Sequence, residues 1–244
     1  MLEPSNIFLG DCLQIMTEIP DKSISMVLCD LPYGITSNKW DSEIPLDLLW
    51  QQYLRVGKNN AIFAFTSSQP FTSKLVCSAI EIWRHEWVWI KNRGGNFANT
   101  VREPFKEHET VQVFSKGKWT YNKQMQERTG AGKDRVKYDL NQRSKSENYR
   151  EFEGREATKQ GELRVPSSWQ KFNTDTSGLH PTIKPIALFE YLIKTYTNEN
   201  DIVLDNTMGS GTTCLAAKNL KRQYIGIEKD ENYFEVAKKR LNLC

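Results

Sequence analysis

Asp201-Ile-Val-Leu-Asp-Asn-Thr-Met-Gly-Ser-Gly-Thr-Thr213 is the stretch on which the fold turns. Asp201 to Leu204 is a short β-branched, apolar run of the kind that makes a buried strand. Gly209 and Gly211 let the chain turn tightly behind it, and Thr212 to Leu220 reads as a helix. Gln223 to Ile227 is a second strand, and Glu231 to Leu241 a second helix behind a cap at Asp230. Upstream, Pro185 opens a helix with Ile186, Phe189, Ile193 and Tyr196 on one face. Further back, Ile24 to Cys29, Asn60 to Phe65, Trp87 to Ile90 and Thr110 to Phe114 are strand-like runs. Leu46, Leu49, Trp50, Tyr53 and Leu54 keep helical spacing behind Pro45. Strands alternating with helices predict an α/β fold with a doubly wound parallel sheet.

Composition narrows the function classes. The chain has 244 residues, 39% hydrophobic and 26% charged, as a globular protein has. The longest purely apolar run is five residues, Ala61 to Phe65, against the roughly 18 a spanning helix needs, so no membrane span is expected. The start, Met1-Leu-Glu-Pro-Ser-Asn6, lacks the basic and apolar regions of a secretory signal. Five scattered cysteines without a Cys-x-x-Cys pair argue against a disulfide scaffold or a cysteine zinc site, and for a reducing, cytoplasmic setting. The net charge of +3 is unevenly spread. Residues 116–178 hold fourteen Lys and Arg against nine Asp and Glu, with seven aromatics but only four Ile, Leu or Val. Such a window cannot build an aliphatic core; it reads either as a solvated insertion or as a surface for phosphates and bases.

Two stretches carry chemistry. Glycines between a strand and a helix let a ligand approach the backbone, and free amides at the helix start favour an anionic group. Glu228, 17 residues after Gly211 at the end of the next strand, can accept hydrogen bonds from two ribose hydroxyls. A glycine turn alone fits many loops; the strand before it and the acid after it point to a nucleoside-containing ligand. No Gly-Lys-Ser/Thr follows, which argues against a triphosphate loop. The second stretch is Asp30-Leu31-Pro32-Tyr33. Asp30 can accept a hydrogen bond from an amine, Pro32 fixes the backbone, and Tyr33 offers a flat face to a heterocycle.

Together these motifs resemble the S-adenosylmethionine-dependent amino DNA methyltransferases. Asp30-Leu-Pro-Tyr33 matches the catalytic Asp/Asn/Ser-Pro-Pro-Tyr/Phe of that family at three of four positions. Asp205 with Gly209-Ser-Gly-Thr-Thr213 matches its cofactor motif, His180-Pro-Thr-Ile-Lys-Pro185 its His-Pro-Thr-x-Lys-Pro, and Gly10-Asp11 its N-terminal Gly-Asp. The catalytic motif precedes the cofactor motif, the circularly permuted order of the beta group. Two positions depart from the pattern: Leu31 replaces a proline, and Thr207 stands where many members carry Phe.

The resemblance implies a Rossmann-like methyltransferase sheet, with 1–115 as its catalytic part, 116–178 as a target-recognition insertion and 179–244 as its cofactor-binding part. S-adenosylmethionine is the implied cofactor, S-adenosylhomocysteine its product, and no metal is required because the sulfonium methyl is already electrophilic. Glu228 is expected at the ribose and Asp11 at the adenine edge of the cofactor. Asp30, His180, Thr182, Lys184, Asp205, Met208, Gly209, Ser210, Gly211, Thr212 and Thr213 are expected to complete its site. Asp30 and the backbone carbonyl of Leu31 or Pro32 would hold the exocyclic amine of a base flipped onto Tyr33.

Asp at the head of the catalytic motif favours adenine N6 in double-stranded DNA. Cytosine N4, RNA or a protein amide are the alternative substrates, and a catalytically silent DNA-binding regulator the alternative class. Trp40, Arg128, Lys133, Arg135, Lys137, Arg143, Lys145 and Arg150 are candidate DNA contacts. A homodimer, and a bacterial or phage-encoded enzyme with or without a restriction partner, fit the resemblance.

Overall fold

In the computed structural model, residues 2–34, 43–129, 163–175 and 183–243 are described. Their elements run β1 (Asn6–Leu9), α1 (Cys12–Met16), β2 (Ile24–Cys29), α2 (Leu46–Val56), β3 (Gly57–Ser67), α3 (Phe71–Cys77), β4 (Trp83–Ile90), β5 (His108–Phe114), β6 (Gln126–Glu127), β7 (Leu163–Arg164), β8 (Trp169–Lys171), α4 (Ile186–Tyr196), β9 (Ile202–Asp205), α5 (Thr212–Asn219), β10 (Gln223–Glu228) and α6 (Glu231–Arg240). The chain forms two compact units. The smaller, Lys123–Ser167, holds the antiparallel pair β6 and β7, where the Ser167 amide donates to Gln126 Oε1 at 3.1 Å. The larger unit holds everything else.

Eight strands of the larger unit form one sheet in the order β1-β10-β9-β2-β3-β5-β4-β8. Neighbours from β1 to β3 are parallel, as the alternation of elements predicts. β5 departs from that expectation and runs antiparallel to both β3 and β4. A parallel return from β4 would need a crossover helix, but residues 91–107 carry Gly94, Gly95 and Pro104 and only a single 3-10 turn, so the chain folds straight back as a hairpin.

Consecutive strand residues point to opposite faces, and both faces are covered. Met26, Leu28, Ile62, Ala64, Val111, Val113 and Val203 pack with Leu188, Phe189 and Ile193 of α4, Ala216 of α5 and Ala237 of α6. Val27, Phe63, Phe65, Phe114, Leu204 and Ile225 pack with Met16 of α1, Trp50 and Tyr53 of α2, and Phe71 of α3. Trp50 meets Phe63 and Phe65 edge-on, with ring centroids 5.9 and 5.7 Å apart. Trp87 and Trp89 are packing residues, buried in the first of these cores. His85 is a satisfied histidine, its Nε2 2.7 Å from the Tyr196 hydroxyl.

The connections place the site. β9 joins β10 through α5 on one face, whereas β2 joins β3 through α2 on the other. The chain therefore leaves the adjacent strands β9 and β2 in opposite directions, which opens a crevice at their carboxyl ends. Gly226 in β10 keeps the neighbouring turn in place: a Cβ there would lie 2.4 Å from Met208 Sδ and 2.6 Å from Cys214 Sγ. Among the described residues, no helix is long and apolar enough to cross a membrane.

Candidate active site

Asp30 follows β2, Asp205 ends β9 and Glu228 ends β10, so three acids stand at the carboxyl ends of three neighbouring parallel strands. Asp30 is held by side chains from three segments. Its Oδ1 accepts hydrogen bonds from the Tyr33 hydroxyl at 2.8 Å and from the Thr66 hydroxyl. Its Oδ2 lies 2.8 Å from the Lys184 ammonium. Lys184 is only 7% exposed and lies 3.3 Å from Glu109 Oε2, while Glu109 Oε1 pairs with Lys91. Burial opposes the charge on Lys184, but Asp30 and Glu109 outweigh it and raise the ammonium pKa above its usual value. Burial likewise opposes ionisation of Glu109, yet Lys184 and Lys91 together hold that carboxyl below its usual range. Tyr33 stacks on Phe71 at 5.0 Å, and burial followed by the Asp30 charge pushes its phenol pKa well up.

The neighbouring edge is held by backbone. Glu228 Oε2 accepts the Gly209 amide at 2.8 Å, and its Oε1 accepts the amides of Lys229 at 2.9 Å and Asp230 at 2.8 Å. Burial still leaves the Glu228 pKa above its usual value. Gly209 (φ +52°) and Gly211 (φ +79°) take the left-handed conformation that the tight turn requires. Arg240 pins this turn from α6, donating to the Ser210 carbonyl at 2.7 Å and to Thr212 Oγ1 at 3.2 Å. Gly10 donates its amide to the Glu228 carbonyl at 2.8 Å, which sets Gly10-Asp11 beside the same edge. Beneath the crevice, Asn206 Oδ1 accepts from Tyr53 at 2.7 Å and Cys29 at 2.9 Å, while its Nδ2 is buried without a hydrogen-bond partner among the described residues.

A family model described as DNA methylase matches residues 24–239, spanning both edges of this crevice. The chain belongs to the DNA methylase family. It is 29% identical over 259 residues to the Type II methyltransferase M1.MboII of Moraxella bovis, covering 99% of this chain and 98% of that one. It is 25% identical over 262 residues to the DNA adenine methyltransferase YhdJ of Escherichia coli (strain K12), covering 99% and 84%. The solved M1.HpyAVI-SAM complex superposes with a TM-score of 0.66 at 27% identity, covering 96% of this chain and 98% of that one. The PvuII cytosine-N4-specific methyltransferase, 16% identical with a TM-score of 0.64, shares the fold.

In this methylase the predicted residues separate into groups. Asp30, Tyr33 and Lys184 meet in one network; the resemblance implies that Lys184 and Asp30 belong to the cofactor site, and here the Lys184 ammonium lies on Asp30. Leu31 is buried in the core on the α1–α3 side, so only its backbone reaches the crevice. The Thr207 hydroxyl donates to the Asp30 carbonyl at 3.2 Å, a link between the two motifs that Phe could not make. Asp205 is buried and accepts from the Thr207 amide and the Thr213 hydroxyl, and burial pushes its pKa up to about 7. The Met208, Ser210, Thr212 and Thr213 side chains brace the turn itself. Asp11 caps α1, accepting the Leu13 amide at 3.0 Å. Trp40, Lys133, Arg135, Lys137, Arg143, Lys145, Arg150, His180 and Thr182 lie outside the described residues, and Arg128 belongs to the smaller unit. Thr66, Glu109 and Asn206 are missing from the sequence reading. Thr66 had a usable signal: Thr66-Ser-Ser68 breaks the apolar run Ala61 to Phe65 at the strand end where the site lies.

Proposed function

We propose that this methylase transfers a methyl group from S-adenosylmethionine to N6 of an adenine flipped out of double-stranded DNA. The observation that carries this reading is the Asp30 carboxylate, an amine acceptor held at the switch point beside a glycine turn and an anchored acid. The names of the relatives support the cofactor and the base: one solved neighbour is a SAM complex, and YhdJ is a DNA adenine methyltransferase.

The residues present fit the cofactor. Glu228 keeps acceptor capacity beyond its three amides, the turn brings backbone close, and Asp11 and Glu228 give this edge a negative field suited to a cation. When bound, the cofactor supplies a methyl group on a positively charged sulfur. Asp30 accepts a hydrogen bond from the adenine amine and so aims the nitrogen lone pair at that methyl. The Tyr33 ring stacks the base, with Phe71 supporting it from behind. Asp30 then stabilises the positive charge that grows on the nitrogen, and the proton leaves to solvent. In the same reading residues 116–178 carry target recognition, and the enzyme acts as a homodimer in the bacterial cytoplasm.

The test is methyl transfer from labelled S-adenosylmethionine to unmethylated duplex DNA, followed by digestion to nucleosides. Label in N6-methyl-2′-deoxyadenosine is the expected outcome. Label in N4-methyl-2′-deoxycytidine moves the target base, and an unlabelled duplex with the cofactor bound overturns the reading.

A further inference from the structure

Glu109 is assigned no role by the motifs, yet it is the second carboxylate on the ammonium that touches Asp30. Oδ1 of Asp30 is already filled by the Tyr33 and Thr66 hydroxyls. An incoming amine, itself an N–H donor, therefore uses Oδ2, which already carries the Lys184 ammonium at 2.8 Å and has one lone pair left. The ammonium competes with the substrate amine for Oδ2 and for the field of the carboxylate, as the same kind of donor. It is shared unequally, 2.8 Å from Asp30 and 3.3 Å from Glu109 Oε2. That longer contact is an ion pair without hydrogen-bond alignment, so Oε2 is a buried acceptor still lacking its hydrogen bond. Glu109 cannot turn to relieve this, because Lys91 holds Oε1. A short movement of Nζ would satisfy Oε2 and release Oδ2 together.

We propose that Glu109 is a positioning residue for methyl transfer: its Oε2 receives the Lys184 ammonium when the target amine takes that ammonium's place on Asp30. The inference rests on the reading of Asp30 as the amine acceptor and holds for either base. It also settles an electrostatic conflict. The reacting nitrogen becomes positive, and an ammonium left on Asp30 would cancel the field that stabilises it. Drawn onto Glu109, Lys184 stays neutralised and Asp30 is left free for the reacting nitrogen.

Glu109→Gln tests this. The amide keeps the shape; with its oxygen on Lys91, its NH2 faces Lys184 donor to donor, and the receiving site is gone. We expect kcat to fall by about 10- to 100-fold, the effect typical of partners one layer behind a reacting group, while cofactor affinity measured by calorimetry stays within about threefold. The groups facing Lys184 are Asp30, Glu109 and the Tyr33 ring. Losing one of the two carboxylates lowers the pKa of the ammonium, so the deficit of E109Q should shrink as pH rises toward that pKa and the lysine becomes neutral. Glu109→Asp keeps the anion and should recover most of the rate.

Wild-type kcat in E109Q, a loss equal at every pH, or E109D as slow as E109Q would each overturn the inference. Should E109Q not fold, the unmutated protein gives the answer: the ¹⁵N signal of the Lys184 ammonium shifts when duplex DNA and S-adenosylhomocysteine bind together, and an unmoved signal overturns the proposal. Wild-type protein that labels no DNA overturns the functional reading itself. Labelled DNA beside an E109Q of unchanged kcat overturns only the role of Glu109.

Discussion

Asp30 and Glu228 stand at the ends of strands in the same sheet, yet they are held in opposite ways. Glu228 is held by backbone amides, two of them from the residues that follow it and the third from Gly209, 19 residues away. Asp30 is held by side chains, and beyond Tyr33 its partners Thr66 and Lys184 come from distant segments. Backbone donors are fixed once the strand and turn form, so Glu228 is a rigid post. Side-chain donors can be exchanged, so Asp30 is a socket whose occupants can change. A rigid post suits a ligand that binds in the ground state, and an exchangeable socket suits a group whose partner arrives and changes charge during the reaction.

Substitutions can break or sharpen this contrast. The largest effect is expected for Asp30→Ala, which should lower kcat by about a hundredfold to a thousandfold while S-adenosylmethionine binding, measured by calorimetry, persists; an active D30A would remove the socket from the chemistry. Glu228→Gln should do the reverse. Losing a charge-assisted hydrogen bond costs about 1.5–3 kcal/mol, so cofactor Kd should rise by about 10- to 100-fold while kcat at saturating cofactor changes little; unchanged affinity would show that the post holds something else. The smallest effect is expected just beyond that post. The Asp230 carboxylate caps α6 through the amides of Asn232 and Tyr233 at 2.9 and 3.1 Å. Asp230→Ala should cost about 1 kcal/mol of stability, read as a lowered Tm, with kcat unchanged; a fall in kcat would tie the helix cap to the chemistry.

The same contrast explains what the sequence could tell. The Glu228 edge is local: β9, the glycine turn, α5, β10 and the Asp230 cap follow one another, and each has its own signal in periodicity, glycine or capping chemistry. Their boundaries agree with the sequence reading to within a residue or so. Asp30 was legible by its motif, but its partners were not. Lys184 reaches it across more than 150 residues, and Glu109 reaches Lys184 from β5, which the alternation of elements predicts as parallel. β1, α1 and β8 have five residues or fewer, too short for a period to show, and exist because neighbouring elements pair with or cover them. The reversal of β5 matters to the site for the same reason. Running against β3, it delivers its start to the carboxyl edge, and so brings Glu109 to Lys184.

The pairing of β2 with β9 also has a consequence in time. Met26 lies beside Val203, so the strand that carries Asp30 is completed by a strand made about 175 residues later. A ribosome adding about 5–20 residues per second needs roughly ten to thirty-five seconds to cover that stretch. For that interval β2 has one edge open, and the acid that ends β9 does not yet exist. The nascent chain can gather the aromatic cluster of α2 and β3 early, since those residues are neighbours in sequence. The crevice closes only when residues 202–228 emerge, so Asp30 is without the neighbouring Glu228 edge until then.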